Sequence, residues 1–258
     1  MDTSALLADL RIGNFKQYDL HGHNLRGSDL SQAKLGGLSG ICVDLGDANL
    51  AGIDLSNADL RGANLAGADL QGADLSGACL YRVDLTGTKL AGVNLTDAKL
   101  QTARYDATTV WPEGFNYRSS GAIGPAANLN GAVLNTSSFR DVDLSGASLL
   151  GAYLGGADLT GANLQNARLS QADLRKALFT GASLRGARLN GANVAGVDFR
   201  VVDFTGVEFD SLESIGGADF SGSIGHTDSQ RQYLLSHIDI ELDTWNSFTR
   251  KTTRQSLT

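Results

Sequence analysis

Aspartate is the residue whose spacing most clearly could do chemistry in this sequence. It recurs along the chain at multiples of five residues, as at Asp54, Asp59, Asp69 and Asp74. Two neighbouring carboxylates can act as general acid and general base, but this requires a cleft that shifts the pKa of one of them. The aspartates here belong to a repeated pattern that should place them on a convex, regular wall. They therefore do not indicate an enzyme.

The other reactive residues form no recognisable site. Cys42 and Cys79 make no C-x-x-C pair, and no histidines are spaced to join them, which removes the usual zinc patterns and predicts free thiols. The Gly-Gly-Ala-Asp-Leu segment at residues 155–159 lacks the nine-residue period of calcium-binding repeats. No G-x-x-x-x-G-K-[ST] phosphate loop occurs. We expect no metal and no cofactor.

Composition sets the broad class of the protein. The chain has 258 residues, 42% of them hydrophobic, and a net charge of −7, which is too weak to keep it unfolded. No run approaches the ~18 to 20 apolar residues of a membrane helix, and the first residues do not resemble a signal peptide. We expect a soluble, cytoplasmic protein without direct nucleic-acid binding, because only 21 residues are Lys or Arg.

A five-residue repeat organises most of the chain. Leu or Phe occupies every fifth position from Leu10 to Leu100, except Gly40, and again from Leu129 to Phe209, except Val194. A period of five scatters residues around an α-helix and alternates them between the faces of a straight strand. Burying every Leu therefore requires one corner per repeat, at the Gly two residues later. The spacing predicts a solenoid of short strands but leaves open how many corners close one coil.

Repeats such as Ala58-Asp59-Leu60-Arg61-Gly62 resemble the pentapeptide-repeat protein family. The resemblance covers most of the chain. It implies an all-β fold, a right-handed quadrilateral β-helix with four repeats per coil, in which the Leu and the residue two before it point inward. About nine stacked coils would follow, with short helical caps and one inserted loop.

Departures from the repeat predict the boundaries of the domains. The frame is lost between Tyr105 and Leu129, and it slips by one residue after Phe209, with Ile215 and Phe220 still inward. Gly40 predicts a local bulge. A C-terminal helix should be N-capped by Thr227 or Asp228 and should pack Tyr233, Leu234, Ile238 and Leu242. The predicted segments are an N-terminal cap (1–9), a first β-helical run (10–105), an inserted loop (106–126), a second run (127–225), and a C-terminal helix with a polar tail (226–258).

The inserted loop is the best candidate for a binding site. Trp, Tyr and Arg dominate the energetics of protein interfaces, and the loop contains Trp111, Phe115, Tyr117 and Arg118. We predict these four residues as contacts for a protein partner. The alternative is that the aromatic side chains pack back on the wall and only close it.

Two functions remain open at this point. The first is a non-catalytic protein–protein interaction scaffold or regulator, as the resemblance to cyanobacterial members implies. The second is a DNA-mimicking inhibitor or protector of DNA gyrase, which the quinolone-resistance branch of the family implies through acidic, dimeric rods. One outward column reads Asn128, Ser148, Arg168, Arg188 and Glu208, so no continuous acidic stripe is expected. A homodimer through an end of the rod is left open.

Overall fold

The computed structural model describes residues 3–15 and 19–258. Helix α1 spans Thr3–Arg11, and a 3-10 helix spans Tyr117–Ser119. Three helices follow near the C-terminus, namely α2 (Asp228–Leu235), α3 (Asp239–Leu242) and α4 (Thr253–Leu257). The chain divides into two compact units, Met1–Ile123 and Gly124–Thr258. Met1 and Asp2 of the predicted N-terminal cap lie outside the described residues.

Each compact unit is built from coils of four five-residue repeats. The β-helix consists of parallel bridges that join every fourth repeat, as in the series Asn24, Asp44, Asn64 and Asp84, and an antiparallel bridge joins Trp245 and Thr252 near the C-terminus. The Leu45 N–H donates to the Asn64 carbonyl (2.8 Å), and the Asn64 N–H donates to the Val43 carbonyl (2.9 Å). Each coil therefore has four faces, one for each repeat.

The corners explain why Gly so often follows a repeat leucine by two residues. At the corner after Leu55, the Ala58 N–H donates to the Leu55 carbonyl (3.0 Å), and Asn57 has a φ of 55°. Gly62 holds the same place in the next repeat with a φ of 67°. A β-turn whose third residue has positive φ favours Gly. The predicted corner is confirmed in the regular coils that the structure describes.

Repeat leucines and the small residues two positions before them fill the interior. Leu55, Ala58, Leu60 and Ala68 are all completely buried. Because a leucine from each coil stacks on its counterparts in neighbouring coils, the core is continuous along each compact unit.

The predicted bulge at Gly40 is wrong. The bridge between Ser39 and Asp59 keeps the regular register of four repeats. A Cβ at Gly40 would lie 3.1 Å from Leu60 Cδ2 and 3.2 Å from Val43 Cγ1. Leu38, two positions earlier where the repeat has a small residue, is buried and fills the space instead. The large and small residues have exchanged places within one repeat.

The β-helix continues into the region predicted as a loop. Val110 pairs with Lys89, one residue beyond the regular register, and the Leu90 N–H donates to the Val110 carbonyl (2.7 Å). Asp106 accommodates the additional residue, since its Oδ1 accepts hydrogen bonds from the N–H groups of Thr108 and Thr109 (both 3.0 Å). Ile123 then pairs with Arg104, one residue short of the regular register.

The slipped frame of the second unit keeps its inward residues. After Phe209, bridges such as Asp198 to Asp219 are one residue longer than the regular register. Ile215 and Phe220 are buried, as the frame slip predicts.

One C-terminal helix through Ile238 was expected, and this part of the chain instead forms two short helices, α2 and α3. Thr227 caps α2 as predicted, forming a capping box with Gln230. The helix ends at Leu235, however, and Ile238 is the N-cap of α3 with 66% of its surface exposed. Leu234 and Leu242 are buried, so the prediction of a buried position holds for these two residues but is wrong for Ile238.

The polar tail belongs to the cap of the second unit. Asn246 is buried, and its Nδ2 donates to the Gly217 carbonyl (2.7 Å). The buried Thr253 hydroxyl donates to the Ile215 carbonyl (3.1 Å). These side chains satisfy carbonyl groups that the last coil would otherwise leave without partners.

Candidate functional site

The repeated aspartates have a structural task at the corners. Asp54 Oδ1 accepts a hydrogen bond from the Ser56 N–H (3.0 Å), and Asp74 Oδ1 accepts one from the Ser76 N–H (2.9 Å). Hydrogen bonds from the Ser56 hydroxyl and N–H hold the pKa of Asp54 below its ordinary value. A carboxylate kept ionised and tied to the backbone is suited to hold a turn.

The four residues predicted to contact a partner lie together in the first unit. The Trp111 and Tyr117 rings are parallel, with centroids 5.2 Å apart, and Phe115 also stacks on Trp111 at 5.7 Å. The Arg118 guanidinium lies 5.7 Å from the Tyr117 ring centroid, within cation–π range. We call these four residues the aromatic cluster.

Local structure positions the cluster. Tyr117 begins the 3-10 helix, and the Ser120 hydroxyl donates to the Tyr117 carbonyl (2.6 Å). Pro112 precedes a turn at Gly114, whose φ is 73°. The loop therefore folds back on itself and brings the three rings into contact.

Sequence reasoning missed Tyr105 as a neighbour of the cluster. Its buried ring meets Trp111 edge-on at 5.5 Å and Tyr117 edge-on at 5.4 Å. The signal was present, because Tyr105 stands at a position where the repeat has Leu or Phe. An inward aromatic residue at the end of a repeat run provides a surface on which the next segment of the chain can pack.

The cluster has a packed side and an open side. Trp111, Phe115 and Tyr117 are half-buried, whereas Arg118 is exposed. The Trp111 Nε1–H is buried and has no acceptor among the residues that the structure describes. An unsatisfied buried donor costs about 1–3 kcal/mol, and a phenylalanine would avoid that cost.

A groove runs beside the cluster. It is lined by residues 93–96 of the last regular coil and by residues 112–115 of the loop. Val93 and Leu95, at its floor, are 6% and 8% exposed, whereas Ala73 and Leu75 in the coil before are 2% and 0% exposed. The groove therefore gives access to the edge of the core.

The described part of the chain contains no assembled metal site and no disulfide. No group of three or more His, Cys, Asp or Glu side chains there is placed to hold a metal ion. Cys42 and Cys79 are both free thiols. Among residues 3–15 and 19–258, no helix has the length and apolar character to cross a membrane.

Comparison with known families identifies the repeat. The family model for pentapeptide repeats matches eight copies, in residues 41–77, 78–104, 126–156, 137–175 and 182–212. The chain belongs to the pentapeptide-repeat family. Membership implies a right-handed quadrilateral β-helix with few helices, in agreement with the four-repeat register of the bridges.

Solved structures of other pentapeptide-repeat proteins resemble this one. HetL from Nostoc sp. strain PCC 7120, described as involved in heterocyst differentiation regulation, is 29% identical over 88% of this chain and 99% of its own, with a TM-score of 0.40. Nostoc alr5209 is 35% identical over 46% of this chain and 92% of its own (TM-score 0.21). QnrB1, a plasmid-mediated fluoroquinolone resistance protein, is 18% identical over 84% of this chain and 94% of its own (TM-score 0.24). A comparison with curated proteins found no match.

Proposed function

We propose that this pentapeptide-repeat protein is a non-catalytic interaction scaffold or regulator that binds a protein partner through the aromatic cluster. The observation that carries the proposal is the stack of three half-exposed rings beside the exposed Arg118. Rigid aromatic residues and arginine supply most of the binding energy at protein interfaces. The rings are already ordered by Tyr105 and by each other, so binding requires little further ordering.

The identity of residue 111 supports binding over simple closure. A plug needs only an apolar ring, and Trp111 instead carries an N–H that lacks an acceptor among the described residues. Small movements of the loop would offer this donor to a carbonyl of a partner. The Trp111 N–H, which has no acceptor in the described part of the chain, therefore favours a binding loop over one that only covers the core.

Ion pairs on several faces disfavour the alternative of DNA mimicry. Asp59 pairs with Arg61 (2.7 Å), and Asp173 pairs with Arg175 (2.6 Å). Duplex DNA carries one phosphate charge per ~1.7 Å of its axis, and a mimic needs a high density of carboxylates that are not paired with basic side chains. Faces whose carboxylates are paired with arginines do not provide it.

A quantitative pull-down from the source organism tests the proposal. Wild-type protein is compared with Arg118→Glu and Phe115→Ala, and with the matched control Arg168→Glu, an exposed arginine of the second unit. We expect a retained protein that the control keeps and both loop variants lose, with the circular dichroism of all four unchanged. Retention of the same proteins by every variant contradicts the proposal.

A further inference from the structure

One face of the first unit ends at the groove. A binding role for this face rests on the proposed function, because it concerns the same protein partner. Residues Lys34, Asp54, Asp74 and Asn94 form one outward column, linked by successive parallel bridges. Thr96 is the last residue of this coil that lines the groove, and Asp97 comes directly after it. Glu113 belongs to the loop and also lines the groove. We call Asp54, Asp74, Asp97 and Glu113 the acidic stripe.

The stripe differs from the other faces of the same unit in its lack of counter-charges. Asp44 pairs with Arg26 (3.4 Å), Asp59 with Arg61 (2.7 Å), and Asp69 with Lys89 (3.6 Å). These three aspartates lie on the three other faces. No residue of the acidic stripe forms an ion pair within the described ranges, although Lys34 lies beside Asp54 at the far end.

The carboxylates of the stripe also have free capacity for hydrogen bonds. Asp74 uses Oδ1 for the Ser76 N–H and for Asn94 Nδ2 (3.1 Å), which leaves Oδ2 available. Asp97 and Glu113 are exposed, and their side chains accept no hydrogen bond from any residue that the structure describes. Asp74, Asp97 and Glu113 thus carry charge that no ion pair within the described ranges neutralises, whereas Asp54 lies near Lys34.

The groove at the end of the stripe is a recess whose lining is partly apolar and partly polar. The groove places Pro112 and Phe115 opposite the partly uncovered Val93 and Leu95. Leucine or a similar side chain buried there would gain from the removal of its surface from water. The acidic stripe and the recess together present negative charge beside a groove with a partly apolar lining.

We propose that this surface docks a short basic segment of a protein partner, with Lys or Arg side chains along the acidic stripe and one apolar side chain in the groove. Charge complementarity selects this occupant. From Asp54 to Asn94 the column spans two coil spacings, about 10 Å, over which duplex DNA carries about 6 charges. The column holds two carboxylates over this length, so its charge density is far below that of DNA and suits a short basic peptide better.

Fluorescence anisotropy with synthetic peptides tests the docking surface. The probe is a labelled heptapeptide of Lys and Arg with one central Leu. The comparison peptides replace Leu by Ser or every basic residue by Glu. We expect the basic peptide to bind and the acidic one not to bind. The Ser peptide should bind about tenfold more weakly, and raising NaCl from about 50 to about 300 mM should weaken binding further.

Protein variants locate the binding to this surface. Asp97→Asn/Glu113→Gln should raise the dissociation constant at least about threefold. The matched control is Asp141→Asn/Glu213→Gln in the second unit, which removes the same charge, with Asp141 at a corner of positive φ like Asp97. The control should bind as the wild type does.

Several results overturn the inference. The first is failure of the basic peptide to bind, and the second is equally strong binding of the acidic peptide. The third is a control variant that loses as much affinity for the basic peptide as Asp97→Asn/Glu113→Gln does. The last is self-association of the protein in sedimentation that the basic peptide does not disturb. If the Arg118→Glu variant loses its partner while the basic peptide binds nowhere, this inference fails and the proposed function stands. If the basic peptide binds nowhere and the Arg118→Glu and Phe115→Ala variants retain every partner, both the docking surface and the proposed function are contradicted.

Discussion

The indole ring of Trp111 and the phenol ring of Tyr117 lie parallel, with 1° between their planes. The two residues are near neighbours in the chain, and the buried Tyr105 touches both rings edge-on. The contact closes the loop on itself, so we expect the aromatic cluster to contribute to the stability of the first unit.

Trp111→Ala should lower the free energy of unfolding of the first unit by about 2–3 kcal/mol, because it removes two stacked contacts and one edge contact from a half-buried ring. Urea unfolding followed by circular dichroism measures the change. The control is Trp245→Ala, at a tryptophan that is 57% exposed, where we expect a loss below about 1 kcal/mol. Equal losses at the two positions would show that the cluster adds no stability.

The exchange of sizes at Leu38 and Gly40 predicts strong coupling between the two positions. Gly40→Leu alone should cost about 1–3 kcal/mol, since its Cβ would press on Leu60 and Val43. Leu38→Ala alone should cost about 2–5 kcal/mol through the cavity that it leaves. The double variant restores the order of the other repeats. The loss in free energy of unfolding of the double variant should therefore be smaller than the sum of the two single losses by at least about 1 kcal/mol. Losses that simply add would refute this coupling.

His226 predicts a loss of stability in acid. Burial beside Phe204 lowers the pKa of His226 to about 4, with a smaller effect from Arg231. The folded state therefore favours the neutral ring. Its contribution is complete above the unfolded pKa of ~6.5 and is lost as the pH falls from there through about 4.

Thermal melts between pH 8 and pH 4 of the wild type and of His226→Gln measure this effect. Gln cannot take up the proton, so the difference in midpoint between the two pH values should be smaller in the variant. If the variant shows the full wild-type pH dependence, other groups are responsible.

Asn246→Ala should loosen the end of the second unit. The change removes the bond to the Gly217 carbonyl and the bonds that Asn246 Oδ1 accepts from the N–H groups of Phe248 and Thr249. Buried partners left unsatisfied should lower the local opening free energy by about 2–4 kcal/mol. Hydrogen exchange should show faster exchange in residues 196–257 and not in the first unit. Thr258→Ala, at the exposed last residue, is the control and should leave exchange unchanged.

The periodicity of the sequence predicted much of the fold because one pattern governs the regular coils. The five-residue spacing required a corner per repeat, and the family resemblance supplied four corners per coil. The residues of the aromatic cluster could also be chosen from sequence, because Trp111 and Phe115 are rare residue types in a region without the repeat. Their mutual stacking could not be predicted, since it depends on the turn between them.

Other features depend on contacts that no local pattern reports. Asn246 appeared to belong to a polar tail, yet it is buried because it meets the carbonyl of Gly217, which lies far from it in the chain. Ile238 fits a helical spacing, but the chain leaves the helix at Ser236 and turns Ile238 outward. Leu38 compensates for Gly40 through volume alone, which spacing does not describe.

The four-repeat register constrains how a protein of this kind can change length. Loss or gain of one repeat would turn every later side chain in that compact unit by a quarter revolution and carry it to a neighbouring face. Loss or gain of four repeats would leave each column in line. Insertions and deletions that arise in evolution should therefore survive as whole coils wherever a column such as the acidic stripe must stay continuous.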